Sequence, residues 1–270
     1  EDSAAALWPF TIRPIAVFGN APLGDTPQFA GEDISAIQSV GEVFGEVDIE
    51  KMAALDPDLI VTPIWPQQEA TSGGIVAEFE RRVAPIAPVV AVDAYKPFRR
   101  MIDRYQELAA ALGVDLGAPA VAEARTRLDA AFAALEAAAK DTRDLRVLAL
   151  SAGTDQLYVA NPSQYSDLQE YQAAGLEFVV PTDTSGFGGI WEALSFEQAN
   201  KYHADLILYD NRPPGSVLTT LQGVPTWGTL PAVKEGQIAP WYVGTTYRLS
   251  FFAQHVEELA GLIQRSRRLG

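Results

Sequence analysis

The sequence predicts an α/β protein of two lobes, each with a mainly parallel sheet flanked by helices, joined by one long rigid helix. Three observations predict it. Short β-branched runs alternate with helix-like segments, a long strand-free block separates two sets of such runs, and a motif of the first set is echoed in the second.

The alternation argues for parallel sheets built through helical crossovers. In the first half, Pro14–Phe18, Leu59–Thr62 and Pro88–Val92 read as strands. In the second half, Arg146–Leu150, Glu177–Val180, Leu206–Tyr209 and Gln237–Pro240 do. The block Pro97–Asp144 lies between the two sets. Within it Pro119 suits a first helical turn, and Ala-rich, charge-spaced sequence follows to Lys140. Such a helix is about 30 Å long at about 1.5 Å per residue, enough for a stiff spacer. An ordinary surface helix of a single domain is the alternative; the clean division of the strands favours the spacer. The expected division is a first lobe over 1–118, a linking helix over 119–140 and a second lobe over 141–270.

The echo pairs VDIEKMAALDPDLIVT at Val47–Thr62 with LSFEQANKYHADLILY at Leu194–Tyr209. Aligned without gaps, Glu50 falls on Glu197 and Asp58-Leu59-Ile60 on Asp205-Leu206-Ile207. Each copy reads as a short helix running into a buried strand. The Glu sits in the first turn, where a carboxylate complements the helix dipole.

Composition narrows the function classes. The chain has 270 residues, 48% of them hydrophobic and 20% charged, which fits a folded protein with a substantial core. Twenty Lys and Arg against 35 Asp and Glu leave a net charge of −15, so a polyphosphate partner meets repulsion and no nucleic-acid function is expected. There is no cysteine, which excludes disulfides and thiolate metal sites within this sequence. No apolar run approaches the roughly 20 residues of a membrane span. The opening Glu1-Asp2-Ser3 has neither a basic nor an apolar leader region.

With its echo, the chain resembles the helical-backbone substrate-binding proteins of ABC importers, the group serving ferric siderophores, haem and cobalamin. VDIEKMAALDPDLIV is similar to that family's signature in lobe one, and WEALSFEQANKYHADLILYD at Trp191–Asp210 to the signature in lobe two. VPTWGTLPAVKEGQIAPW at Val224–Trp241 resembles the run into the last strand, and Ser250–Arg265 the closing helix. The resemblance implies a monomeric, extracytoplasmic carrier that passes a ferric siderophore to a permease dimer. Family members begin with a strand and helix before the stretch matching Ile12–Gly19, so an opening strand, a signal peptide and a lipid-bearing cysteine are expected upstream. It also implies that Glu50 and Glu197 are the two glutamates, one per lobe, that meet arginines of the permease.

In open α/β lobes a ligand lies beyond the carboxyl ends of the strands. That rule nominates Trp65 after the second strand, Tyr95 and Lys96 after the third, and Arg212 after Leu206–Tyr209. It also nominates Trp241 and Tyr242 after Gln237–Pro240, then Tyr247 and Arg248, with Trp191 in a loop before the second echo helix. Core packing is the competing reading for each aromatic, and wins for Trp227. Arg248 is equally suited to capping backbone carbonyls. An aromatic set with few cations suits a bulky, partly apolar ligand. A tris-catecholate iron core is trianionic and demands several cations, whereas a tris-hydroxamate core is neutral. The ligand expected is therefore a hydroxamate or mixed-type Fe(III) siderophore.

No protein metal site and no cofactor are expected: His203 and His255 stand alone in helix-like segments, and a siderophore supplies its own oxygen ligands. Haem or cobalamin is the alternative cargo, and Tyr95 or Tyr165 could serve as an axial haem ligand. From a different class, the alternative is a hydrolase on a doubly wound sheet. The chain has no Gly-x-Ser-x-Gly elbow, phosphate loop or His-Glu-x-x-His helix, so no enzyme is expected. Thr71-Ser72-Gly73-Gly74 could hold an anion or simply cap a helix.

Overall fold

A computed structural model describes residues 1–19, 21–43, 46–64, 75–142, 144–212, 215–243 and 247–270. The chain forms two compact units, Glu1–Arg125 with Thr245–Phe251, and Thr126–Gly244 with Phe252–Gly270.

In the first unit the elements run α1 (Asp2–Leu7), β1 (Ala16–Val17), β2 (Gln38–Ser39), α2 (Ile49–Ala54), β3 (Ile60–Ile64), α3 (Ile75–Val83), β4 (Val89–Asp93) and α4 (Phe98–Ala111), followed by the start of α5 (Pro119–Asp141). Its strands form two parallel pairs, β1 with β2 and β3 with β4. Every residue of α1 is buried, and Ser3 hydrogen-bonds the phenol of the fully buried Tyr105 on α4 at 2.9 Å. Pro63 lies in β3, which has no second partner strand among the described residues, so its missing N–H breaks no ladder there. A mainly apolar cavity of about 380 Å³ is lined from α1, β1 and β3. Gly113 ends α4 in the left-handed region at φ 87°, and the bonds Gly113 N to Ala110 O and Val114 N to Ala109 O close the turn.

As expected, the block between the strand sets contains one continuous helix from Pro119, and α5 begins in the first unit and continues in the second. Leu128, Ala131, Phe132, Leu135, Ala138 and Ala139 are its buried face, at the three- and four-residue spacing of a helical stripe.

The second unit continues with β5 (Arg146–Ala152), β6 (Gln156–Ala160), α6 (Ser166–Ala173), β7 (Glu177–Phe178), β8 (Trp191–Ser195), β9 (Leu206–Asp210), α7 (Ser216–Gln222), α8 (Pro231–Lys234), β10 (Ile238–Trp241) and α9 (Leu249–Arg265). The sheet order is β10-β9-β5-β6-β8, with β7 also on β5. β10, β9, β5 and β7 pair in parallel, whereas β6 is antiparallel to both β5 and β8. One face carries Leu148, Leu150, Leu157, Val159, Leu194 and Ile207 against α7 and α8. Elsewhere in this unit Phe132, Tyr171 and Phe252 meet with ring centroids 5.7–6.4 Å apart.

Strands β2, β6 and β8 are not among those expected from the sequence, and two further details differ from that reading. The second echo copy is no α-helix: Ser195 and Gln198 close a capping box around a single 3-10 turn, Phe196–Gln198, and the chain then runs irregularly to β9. Trp191 is not in a loop but opens β8. The reason is the β5–β6 hairpin, turned at Gly153–Asp155, which gives β8 a partner to pair with.

The C-terminal tail is built into this unit. The carboxylate of Asp205, 0% exposed, accepts from the backbone N–H of Arg146 and of Leu269, each at 2.8 Å. The Gln237 amide clasps the same tail, donating to the Arg267 carbonyl at 2.9 Å and accepting from the Arg267 N–H at 2.9 Å.

Candidate functional site

Side chains alternate across a strand, and register partners share a face. Ser151 pairs with Tyr158 and Tyr158 with Ala193, two residues along from Trp191. Trp241 pairs with Asp210, whose Oδ2 accepts from Ser151 Oγ at 3.0 Å. Ser151, Tyr158, Trp191, Asp210 and Trp241 therefore share one face of the sheet, opposite the leucine-rich cluster.

On that face the aromatic rings form a continuous array. Tyr165 stands edge-on to Trp241 at 4.9 Å and to Trp191 at 5.4 Å, and the two indoles lie 6.0 Å apart. Tyr158 extends the array to Trp191 at 6.4 Å and to Phe187 at 5.4 Å. Phe187, 39% exposed, sits on the loop before β8, just ahead of Gly188 and Gly189 at φ 60° and 88°. Asn161 pins that loop's return by donating to the Gly189 carbonyl at 2.8 Å. The buried Glu192 holds its start, accepting from Thr182 N at 3.1 Å and Tyr202 Oη at 2.5 Å and pairing with Lys201.

Beside the array stands one anchored cation. The Arg212 guanidinium lies on Asp210 through Nε to Oδ1 at 3.1 Å and Nη2 to Oδ2 at 3.2 Å, and its backbone N–H caps the same carboxylate at 3.0 Å. The Trp241 indole N–H donates to Asp167 Oδ2 at 2.7 Å. Burial pushes that carboxyl up to about 6, against the pull of the Trp241 and Leu168 hydrogen bonds and the Arg212 charge. Among the described residues, no group of three or more His, Asp or Glu is placed to hold a metal ion. The arrangement offers apolar contact from interlocked ring edges and faces with a fixed guanidinium at its side, which is recognition chemistry.

The sequence model of the periplasmic binding protein family matches residues 16–241. The chain belongs to that family. Among solved structures, this periplasmic binding protein is similar to DesE, a ferric-siderophore receptor protein from Streptomyces coelicolor. The two share 31% identity over 100% of this chain and 92% of DesE, with a TM-score of 0.86. FhuD2 from Staphylococcus aureus, solved with bound ferrioxamine B, shares the fold at 18% identity and TM-score 0.65, covering 98% of this chain and 95% of FhuD2. FeuA from Bacillus subtilis, a triscatecholate siderophore binding protein complexed with ferri-bacillibactin, does so at 16% identity and TM-score 0.65, covering 97% and 90%. No curated protein sequence matches significantly. Among the described residues, no helix of this binding protein is long and apolar enough to cross a membrane.

Of the nominated ligand residues, the second unit brings together Trp191, Trp241 and Arg212. Trp241 is 3% exposed, so it lines the array from beneath Tyr165 and Trp191. Tyr242 turns elsewhere and stacks on His255 of α9 at 4.1 Å. In the first unit, Tyr95 follows β4 with its phenol pushed to about 12, by burial first and the Asp93 charge second. The exposed Lys96 pairs with Asp93 at 3.6 Å. Tyr247 is 1% exposed. Arg248 donates to the Gln28 carbonyl at 2.8 Å and pairs with Glu32, which also accepts the Trp8 indole N–H at 2.8 Å. Trp65 and the Thr71–Gly74 stretch lie outside the described residues.

Glu50 and Glu197 take equivalent places. Each is exposed and second in its turn, after an Asp48 cap on α2 and a Ser195 cap on the 3-10 turn. The Glu197 carboxyl is held below its ordinary value by its own backbone N–H and then by the Ser195 side chain. Sequence reasoning missed Tyr158, Phe187 and Asp167 and gave Tyr165 another role. The Tyr165-Ser166-Asp167 triplet at a helix start was the available signal.

Proposed function

We propose that this periplasmic binding protein captures a ferric siderophore outside the cytoplasm and delivers it to the permease of an ABC importer. The cargo is of hydroxamate or mixed-ligand type. One observation carries the reading: the array of Tyr158, Trp191, Tyr165, Trp241 and Phe187 stands beside the Arg212 guanidinium, which Asp210 already neutralises. Such a wall suits the apolar faces of a bulky chelate of low net charge. A trianionic core would need several uncompensated cations, because each buried charge is tolerated only when paired. Support comes also from DesE, described as a ferric-siderophore receptor, and from FhuD2, solved with ferrioxamine B. FeuA carries a triscatecholate on the same fold, so the fold alone does not choose the chelate. Glu50 and Glu197 are the docking points for the permease in this reading.

A titration of tryptophan fluorescence tests it, with ferric hydroxamate, catecholate and citrate chelates, haemin and cobalamin. Stoichiometric quenching by a hydroxamate chelate, and its recovery unchanged, is the expected result. Tighter binding of a tris-catecholate than of any hydroxamate would reverse the choice of ligand. Tighter binding of haemin or cobalamin would replace the siderophore.

A further inference from the structure

We propose that Asp167 is a positioning residue for ligand recognition: its carboxylate fixes the Trp241 indole in the orientation that completes the array with Tyr165 and Trp191. The inference rests on the reading that this array contacts the ligand, and adds a residue that never touches it.

The geometry is a two-point grip delivered from one helix start. Tyr165 caps α6 and lays its ring edge-on to Trp241 at 4.9 Å and 81°. Two residues on, Asp167 takes the indole N–H at 2.7 Å. A tryptophan at a strand end has two side-chain torsions to fix, and ring packing alone leaves rotation within the plane of contact undetermined. The directed bond removes that freedom, because an indole has a single donor.

The choice of residue is informative. Asp167 is 2% exposed and Trp241 3%, so the bond is dry. Burying a carboxylate is expensive, and a neutral acceptor would satisfy an indole N–H at lower cost. A charge-assisted bond is shorter and stronger than a neutral one and holds its geometry more tightly. Asp167 Oδ1 is itself fixed by the Leu168 N–H at 2.9 Å, so the grip is anchored in backbone. Arg212 lies near enough to act on Asp167 electrostatically, which links the positioned indole to the anchored cation of the same wall.

The test uses the full chain as Asp167→Leu, Asp167→Asn and Trp241→Phe, with ferrioxamine B as probe. Ligand-free near-ultraviolet circular dichroism reports the indole's setting, and fluorescence quenching reports affinity. Asp167→Leu is expected to lose about tenfold in affinity, about 1.4 kcal/mol, and to shift the near-ultraviolet bands towards those of Trp241→Phe, with the far-ultraviolet spectrum unchanged. Asp167→Asn keeps an acceptor and is expected to restore both readouts to within about threefold of the parent. Parental affinity and spectrum in Asp167→Leu would overturn the proposal, and so would an Asn variant as impaired as Leu. If Asp167→Leu does not fold, Asn and Trp241→Phe decide it: a parental Asn variant beside an impaired Phe variant supports the grip, and equal behaviour overturns it. A parent protein that binds no chelate defeats the siderophore reading alone, since the ligand-free spectra still decide whether Asp167 orients Trp241.

Discussion

Arg212 lies in fork geometry on the two carboxylate oxygens of Asp210, at 3.1 and 3.2 Å, while Ser151 donates to the same carboxylate from the neighbouring strand. The pair turns a flexible cation into a fixed one. Asp210→Ala removes the acceptor of four donors at once, Ser151 Oγ and the Arg212 N–H, Nε and Nη2, and hydrogen bonds to charged groups are worth about 1.5–3 kcal/mol each at most. A loss of about tenfold or more in chelate affinity is expected, with a smaller fall in melting temperature. Arg212→Lys keeps the charge but cannot form the fork, so affinity is expected to drop several-fold at constant stability. Quenching titrations check both; parental affinity in Arg212→Lys would show that only the charge matters.

The pH dependence of stability should carry the mark of Asp167. Burial raises its carboxyl from 3.8 to about 6 in the folded protein. The folded state thus binds this proton more tightly than the unfolded chain. The contribution favours folding below the unfolded value and is lost as pH rises through about 6. Asp167→Asn is expected to remove that slope and to raise stability near neutral pH by about 2–3 kcal/mol. Urea unfolding of both proteins near pH 4 and near pH 7 measures it, and a parallel pH dependence in the two would refute it.

Glu50 and Glu197 are exposed in matching turns and bury nothing. Glu50→Ala and Glu197→Ala are expected to leave ligand affinity and melting temperature unchanged. Under the proposed docking, uptake through the cognate permease should fall in each and further in the double variant, each lobe then losing its own charge-assisted contact. Wild-type uptake by both single variants, across carrier concentrations, would make them helix-end residues only.

Glu32 joins Arg248 to the indole of Trp8, and a cation–π contact sets Arg13 over the same ring at 3.7 Å. Glu32→Ala leaves two donors without their acceptor in a half-buried setting, for an expected loss of about 1–3 kcal/mol. Denaturant unfolding reads that loss directly. Ligand affinity of the same variant then separates a structural Arg248 from a ligand-contacting one: unchanged affinity assigns Arg248 to the tie.

Strands β3, β4, β5 and β9 were visible in the sequence because each is a run of β-branched and aliphatic residues bounded by turn formers. β6 and β8 were not. Tyr158 and Trp191 face away from the leucine cluster, and the buried Glu192 puts a charge where a core strand should show none. The second echo copy has a 3-10 turn where a short helix is expected, because local polarity pattern does not distinguish a capped 3-10 turn from an α-helix. For the site, Trp241 and Arg212 followed from the rule of strand ends, whereas Trp191 was expected in a loop and opens β8 instead. The grip on Trp241 could not, since it joins residues 74 apart and depends on a helix start whose place is set by the whole sheet.

The Asp205 and Gln237 clasp has a consequence for biosynthesis. The carboxylate that bonds the first residue of β5 also bonds Leu269, beyond α9. A growing chain emerges amino end first and folds by units. Here the second unit's closing bonds wait for Arg267 and Leu269, which follow every described strand of its sheet in the chain. Its last ordering step therefore follows the making of the sheet, and a Leu269→Pro substitution, with no N–H to give Asp205, would leave that step unmade.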